Sequence, residues 1–395
     1  MRERPQSFPS VALAKLVQKG RKITYGIVQP GEFVADGVIL VRGRDYSAGW
    51  RDIDGFMRVT PEIDAPYKRS KLKPGDLVLT IVGANTGTVA VVPAWLDGAN
   101  ITQTTARIAV DSTKAIPGYV EQVLRSAIGQ EAVYRFQKGG AQPGLNLADV
   151  EKFEIPLPPL PEQRKIAEIL RTWDQALEKI TALRAAKVRR ISSLRQRLFE
   201  AEYASHNRLQ RARDLFETVS ERARPDLPLL AVMQDIGIVR RDELDRRVAM
   251  PDGDTSTYKV VRSGDFVISL RSFEGGIEYC SIIGLVSPAY TVLRPTTDLI
   301  GDYYRHFFKS RSFIGRLDKL IFGIRDGKQI AFRDFGDMYI PAPPVAEQEA
   351  QARALGSLEA DLALEDERIA ALNRQKRGLM QKLLTGEWRV ATEVA

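Results

Sequence analysis

Two stretches of the chain carry a helical pattern of unusual length. From Pro161 to past residue 200 neither glycine nor a further proline interrupts a run dominated by Arg, Ala, Leu, Glu and Lys, residues that favour helix. Positions 170, 173, 177, 180, 184, 187, 191, 194 and 198 advance by threes and fours and are apolar except at Arg184 and Lys187. Positions 355, 358, 362, 365, 369, 372, 376, 379 and 383 repeat the pattern, with Glu365 and Lys376 as the polar members. Each is an a/d seam held over about four heptads. A helix from Pro161 to Glu202 would be roughly 60 Å long. The pattern predicts that the two helices pack on each other, antiparallel. That register sets Glu365 beside Lys187 with Arg184 one step away, whereas a parallel one sets Glu365 against Ile180 in an apolar layer, a costly burial. The other arrangement left open is two surface helices, each docked on its own domain.

The rest of the chain alternates on a shorter period. LVLTIV (77–82), TVAVV (88–92), ARIAV (106–110), DFVISL (265–270) and YTVL (290–293) read as strands separated by Gly and Asp turns. Helical patches lie at Tyr119–Phe136 and Tyr303–Leu320. Residues 1–158 and 206–343 therefore read as two mixed α+β domains. Helices at 159–205 and 344–386 and a tail at 387–395 complete the chain.

The two halves are copies. IPLPPLPEQ (155–163) returns as IPAPPVAEQ (340–348), an offset of 185 that also aligns LRQRLF (194–199) with LMQKLL (379–384). Leu147, Asp149, Val150 and Phe153 align in the same way with Phe332, Asp334, Phe335 and Met338. Further upstream the offset is 189, where KPGDLVLT (73–80) faces RSGDFVIS (262–269) and Gly87 faces Gly276. A loop between these segments has changed length. The unit of duplication is a variable segment followed by a more constant one.

Composition narrows the chemistry. The net charge of +8 is the sign expected of a partner of polyanions, yet too small for a polybasic protein. One cysteine, Cys280, excludes a disulfide framework and reads as a buried thiol. His206 and His306 stand 100 residues apart and offer little for a zinc site. No apolar run suits a bilayer or a signal peptide, so a cytoplasmic location without membrane contact is expected. VGANTGT (82–88) lacks the lysine of a phosphate loop and reads as a tight turn between strands. No nucleophile elbow or amino-methyltransferase motif occurs. Asp326-Gly327-Lys328 could end a nuclease carboxylate–lysine site, but reads better as a basic turn. No catalytic residue, cofactor site or metal site is expected in this chain.

The tandem IPLPPLPEQRKIAEIL and IPAPPVAEQ, the duplicated α+β domains and the Leu-seamed helices resemble the DNA-specificity subunit of type I restriction–modification systems. YGIVQPG (25–31) looks like the opening of one class of its target-recognition domains. The likeness covers nearly the whole chain. It departs at Glu349–Ala354, where EAQARA replaces the basic-apolar run of Arg164–Ile169, and 206–257 holds no YGIVQPG counterpart. The resemblance implies two target-recognition domains, each reading one half of a split double-stranded DNA site, separated by an antiparallel coiled coil that acts as a ruler. It implies two methyltransferase subunits as partners and, where present, translocase–nuclease subunits. S-adenosylmethionine, ATP and magnesium would belong to those partners. The competing class is a non-catalytic coiled-coil adaptor with two ligand-binding domains and no DNA sequence preference.

Base readout requires Arg, Lys, Asn, Gln or acidic side chains on exposed loops, with basic and hydroxyl groups nearby for phosphate. In the first domain the candidates are Arg42, Arg44 and Tyr46, then Asn85 and Thr86, Gln103 and Thr105, and Lys138 with Gln142 in KGGAQPG. In the second they are Arg271, Ser272 and Glu274, which align with the 82–85 turn, and Arg325, Lys328 and Gln329, which align with the 140–144 loop. Singly, each also reads as a solvated loop residue. Their recurrence in equivalent loops marks them as a set.

Overall fold

A computed structural model describes residues 7–139, 143–234, 236–244, 255–270, 272–319 and 330–391. Backbone contacts divide the chain into two compact units, one of residues 1–179 with 369–395 and one of residues 180–368. The split runs through both long helices, Leu160–Ala204 and Val345–Thr385. Each unit therefore holds one α+β domain, part of the helix that follows it, and part of the other helix.

In unit 1 a four-stranded antiparallel sheet runs in the order Thr24–Tyr25, Thr105–Ile108, Leu77–Thr80, Val89–Val91. Val38–Val41 pairs antiparallel with Met57–Val59 and parallel with Asn100–Ile101. Unit 2 repeats the four-stranded order with Phe216–Val219, Thr291–Pro295, Phe266–Ile268 and Glu278–Tyr279. The repeated Gly-Asp before Leu77–Thr80 and before Phe266–Ile268 has one physical role. Gly75 and Gly264 take φ of +84° and +96°, a turn that glycine enters without strain. The next residue closes the turn: Asp76 accepts from Lys73 N and Asp265 from Arg262 N, each at 2.8 Å. Each carboxylate also receives a fork of two N–H groups, from Arg21 and from Arg294.

The expected helical patches are each broken in two. Pro117–Arg125 is followed by Ala127–Phe136, and Gly301–Phe308 by Arg311–Lys319. Serine stands at both breaks. Ser126 Oγ accepts from Ile128 N and Ser310 Oγ from Phe313 N, restarting the helix as an N-cap does.

The long helices pack on the domains at their ends and on each other between. In unit 1 Ile166 and Leu170 enter the core with Met380, Leu383 and Leu384; in unit 2 Phe199 and Tyr203 do so with Ala352 and Leu355. Each large apolar side chain so buried contributes about 1.5–3 kcal/mol. Pairing is antiparallel within each unit. In unit 1 Lys376 donates to Asp174 and Arg389 to Glu162. In unit 2 Lys187 donates to Glu365 at 2.8 Å, Arg195 to Glu359 at 2.9 Å and Gln351 to Glu202 at 2.8 Å. Arg184 bonds Asp366, the neighbour of the expected carboxylate. The seam also drifts from the heptad reading: Leu194 is exposed and Phe199, not Leu198, is fully buried. A straight α-helix drifts against a strict seven-residue repeat, and in the last turns Phe199 and Tyr203 pack on the domain as well as on the partner helix.

The tandem Pro-Pro-x-x-Glu-Gln is the attachment between domain and helix. Gln163 Oε1 accepts from Ile116 N at 2.9 Å while its Nε2 donates to Pro158 O at 2.8 Å. Gln348 does the same with Ile300 N, at 3.0 Å, and Pro343 O, at 2.8 Å. Glu162 pairs with Arg389, four residues past the end of the second helix, and Glu347 with Arg208, four past the end of the first. A tyrosine hydroxyl donates to the last strand of each domain, Tyr119 to Pro156 O and Tyr304 to Pro341 O.

Candidate nucleic-acid interface

The predicted stretches of unit 1 meet at the ends of its central strands. Gly26 lies so close to Asn100–Ile101 that a Cβ there would sit 1.8 Å from Ile101 O. Ile27 N donates to Ile101 O and Gln103 N to Ile27 O, which fastens the YGIV segment beside Gln103. Gly43 packs against Thr80, where a Cβ would meet Oγ1 at 2.8 Å. Tyr46 shares a hydrogen bond with the same Thr80 hydroxyl at 2.8 Å. The 82–88 string is a tight turn between Leu77–Thr80 and Val89–Val91, with Gly83 and Gly87 at φ +103° and +93°. Thr86 Oγ1 donates to Gly83 O at 2.7 Å and to Pro143 O at 3.2 Å. Gly83 N donates to Pro143 O, and Lys138 and Gly144 exchange both backbone bonds. That ties Pro143 directly, and Lys138 through Gly144, to the turn.

These segments enclose a cleft of about 500 Å³ lined by Arg42, Gly43, Arg44, Thr80, Val82, Ala84, Asn85, Thr102, Gln103 and Thr104, together with Ile27, Val28 and Pro30. Arg44, Asn85 and Gln103 are exposed. Lys138 is exposed on the neighbouring loop, 3.5 Å from Asp149. Asp149 is held below the usual carboxylate range by the hydrogen bond from Lys152, with Lys138 adding to the effect. The cleft thus presents guanidinium and carboxamide groups, the chemistry that reads guanine and adenine edges.

Three expected contact residues are corrected. Tyr46 and Thr105 are buried, 3% and 0% exposed, and burial pushes the Tyr46 hydroxyl up to about 12. Both support the wall of the cleft from behind. Ser272 is also fully buried: its Oγ accepts from Ser269 N at 2.8 Å, closing the Ser269–Ser272 turn at the start of the single helical turn Ser272–Gly275. Glu274 is exposed on that turn. Gln142, Arg271, Arg325, Lys328 and Gln329, and with them Asp326, lie outside the described residues. The sequence placed Asp45 only within the candidate contact stretch Arg42–Tyr46, yet its carboxylate is fully buried against Arg42, Arg44 and Arg51. Its place inside Arg-Gly-Arg-Asp was the available signal. Arg389 and Arg208 were also missed, although each follows its helix end at the same spacing.

Unit 2 holds a second cavity of about 550 Å³ whose lining includes Arg195, Glu359, Arg305, His306, Lys309 and Glu278. Its cations face carboxylates: Arg195 and Arg305 donate to Glu359, and Lys309 pairs with Glu278. Burial, reinforced by Arg305 and Arg195, pushes the His306 imidazole down to about 3. Cys280 is buried, donates to Ile282 O, and its thiol is pushed up to about 11 by desolvation. Among the described residues no group of three His, Cys, Asp or Glu side chains is placed to hold a metal ion, and no helix is long and apolar enough to cross a membrane.

The chain is similar to several known proteins. The profile of the type I restriction modification DNA specificity domain matches residues 62–187. The specificity subunit of the type I restriction enzyme EcoBI from Escherichia coli is 30% identical over 210 residues, 52% of this chain and 44% of that one, so the match spans less than half of that relative. The MjaX specificity subunit named in Methanocaldococcus jannaschii is 21% identical over 306 residues, 71% of this chain and 70% of that one. A solved chain from work on complex assembly and conformational transition of a type I system has a TM-score of 0.57 at 17% identity, covering 98% of this chain and all of that one. The type I system S subunit from M. genitalium has a TM-score of 0.56 at 14% identity, covering 97% of this chain and 98% of that one. At such identities these structures establish a shared fold. Profile, curated relatives and fold point the same way: the chain is similar to type I restriction–modification DNA-specificity subunits, and residues 62–187 match the model of their DNA-specificity domain.

Proposed function

We propose that this chain is the non-catalytic DNA-reading subunit of a type I restriction–modification complex, binding a bipartite double-stranded site with one half-site to each unit. The observation that carries the proposal is the unit 1 cleft, where three separate chain segments bring Arg42, Arg44, Asn85 and Gln103 to one lip. Such groups read base edges in the major groove, and the net positive charge supplies phosphate attraction. Two methyltransferase subunits would supply S-adenosylmethionine chemistry, with ATP and magnesium on translocase–nuclease subunits where a system has them. The long helices would set the spacing of the half-sites, inside the cell and away from membrane.

Modified-base sequencing of DNA from a host carrying this chain with its methyltransferase tests the proposal. A methylated two-part motif is expected, and Gln103→Ala should relax only the half read by unit 1. The purified chain should neither cleave nor methylate DNA. Duplex binding that follows charge alone, with no site preference, would replace this reading with the adaptor.

A further inference from the structure

Asp45 carries a fully buried carboxylate next to Arg42, Gly43 and Arg44, which line the unit 1 cleft. Its oxygens accept from Arg42 N at 2.8 Å, from Arg42 Nε at 3.1 Å and from Arg42 Nη2 at 3.3 Å. Arg51 Nη1 lies at 3.5 Å and Arg44 Nε at 4.0 Å. One carboxylate thus faces three guanidinium groups, which leaves the lip positive. The anchoring is unequal. Arg42 has its Nε edge committed and its side chain only 23% exposed, whereas the Arg44 side chain is 65% exposed with no hydrogen bond on its Nη groups among the described residues. Phosphate attraction needs only a charge at the right distance, which a mobile lysine supplies. A planar fork carried on the Gly43–Asp45 turn, which the buried Asp45 carboxylate closes by accepting from Arg42 N, fits a different target, the paired O6 and N7 acceptors of guanine.

Resting on the DNA-reading function proposed above, we propose that Asp45 is a positioning residue that presents Arg44, through the Arg42 clamp, to a guanine in the half-site read by unit 1. Asp45→Asn keeps the size of the side chain and an acceptor for Arg42 N but removes the charge that orders the arginines. Fluorescence anisotropy of the full chain, on duplexes carrying each single-base change of the mapped site, provides the test. Discrimination at one G·C pair of the unit 1 half should fall about 5- to 150-fold, the span of one bidentate base contact. Affinity for unrelated duplex should hold or tighten and the salt slope should not decrease, because a negative charge has been removed. A merely structural loss would weaken binding to all sequences. Arg44→Lys, which keeps the charge and loses the fork, should relax the same base pair. Unchanged discrimination in Asp45→Asn, or loss spread over both halves, overturns the positioning role while the DNA-reading function stands. If Asp45→Asn melts unit 1 in a circular-dichroism scan, Arg44→Lys decides alone, and unchanged discrimination there overturns the role. Absence of any site preference in the unsubstituted chain removes both.

Discussion

The two units share a sheet order and fill it differently. Unit 1 is packed by Leu, Ile and Val around Leu77, Leu79, Ile108, Val120 and Val123. Unit 2 is packed by rings, with Phe308 within 6.0 Å of the centroids of Phe216, Phe266, Tyr304, Phe307, Phe313 and Phe335. The contacts that join domain to helix hardly differ. Gln163 and Gln348, Glu162 and Glu347, Tyr119 and Tyr304 make the same bonds to equivalent groups. Interiors can be repacked provided volume and pattern are kept. Hydrogen bonds to fixed backbone atoms admit no such latitude. Divergence within one chain has therefore spared the joints and altered the filling.

Breaking the aromatic core is expected to have the largest effect. Phe308→Ala should cost about 3–5 kcal/mol through lost burial and a residual cavity. Hydrogen exchange should accelerate across the unit 2 sheet and leave the Leu77–Thr80 strand protected. Equal loss of protection in both units would mean that the cores are not separate.

Acid should separate the units next. His306 is neutral in the fold and its imidazole sits at about 3, against roughly 6.5 for a free histidine. The unfolded chain therefore binds the extra proton between those values, and stability falls as pH drops through that window. At about 1.4 kcal/mol per pH unit, unit 2 should lose roughly 2 kcal/mol between pH 6.5 and 5 from this residue. Unit 1 contains no histidine. His306→Gln should flatten the acid limb of a pH series of urea melts followed on unit 2 amides; an unaltered limb would assign the acid sensitivity to other groups.

The joints should behave alike. Gln163→Ala and Gln348→Ala each strand one backbone N–H and one carbonyl, a loss of about 1–3 kcal/mol apiece. Matched drops in melting of the respective units are expected, and a clear inequality would break the equivalence of the two attachments. The smallest effect is expected in the helix pair. Glu365→Lys should destabilise unit 2 by opposing Lys187 and Arg368, and Lys187→Glu in the same chain should restore part of the loss. Additive losses would show that the pair carries no coupling.

The sequence exposed what depends on periodicity and repetition. Both long helices, the five β runs and the Pro-Pro-x-x-Glu-Gln duplication follow from spacing alone. Burial of polar side chains did not. Tyr46, Thr105 and Ser272 stand in strings that read as loops, and only the packing of Thr80 and the Ser269 turn turns them inward. The breaks at Ser126 and Ser310 went unread because they lie inside patches whose apolar spacing looked continuous. Leu198 was preferred to Phe199 because a strict heptad ignores the drift of a real helix against its repeat. Asp45 read as one more member of a solvated, candidate DNA-contact stretch, whereas the fold encloses its carboxylate.

The glutamine joint has a consequence for how such chains change. Gln163 grips only main-chain atoms, the N–H of Ile116 and the carbonyl of Pro158, and Tyr119 likewise ends on a carbonyl. A socket that addresses only the backbone is indifferent to the side chains of the domain it receives. A domain of foreign sequence with the same strand and helix ends could keep these bonds unchanged, and the refitting would fall on the apolar side chains that the helix sends into the core, Ile166 and Leu170 in unit 1.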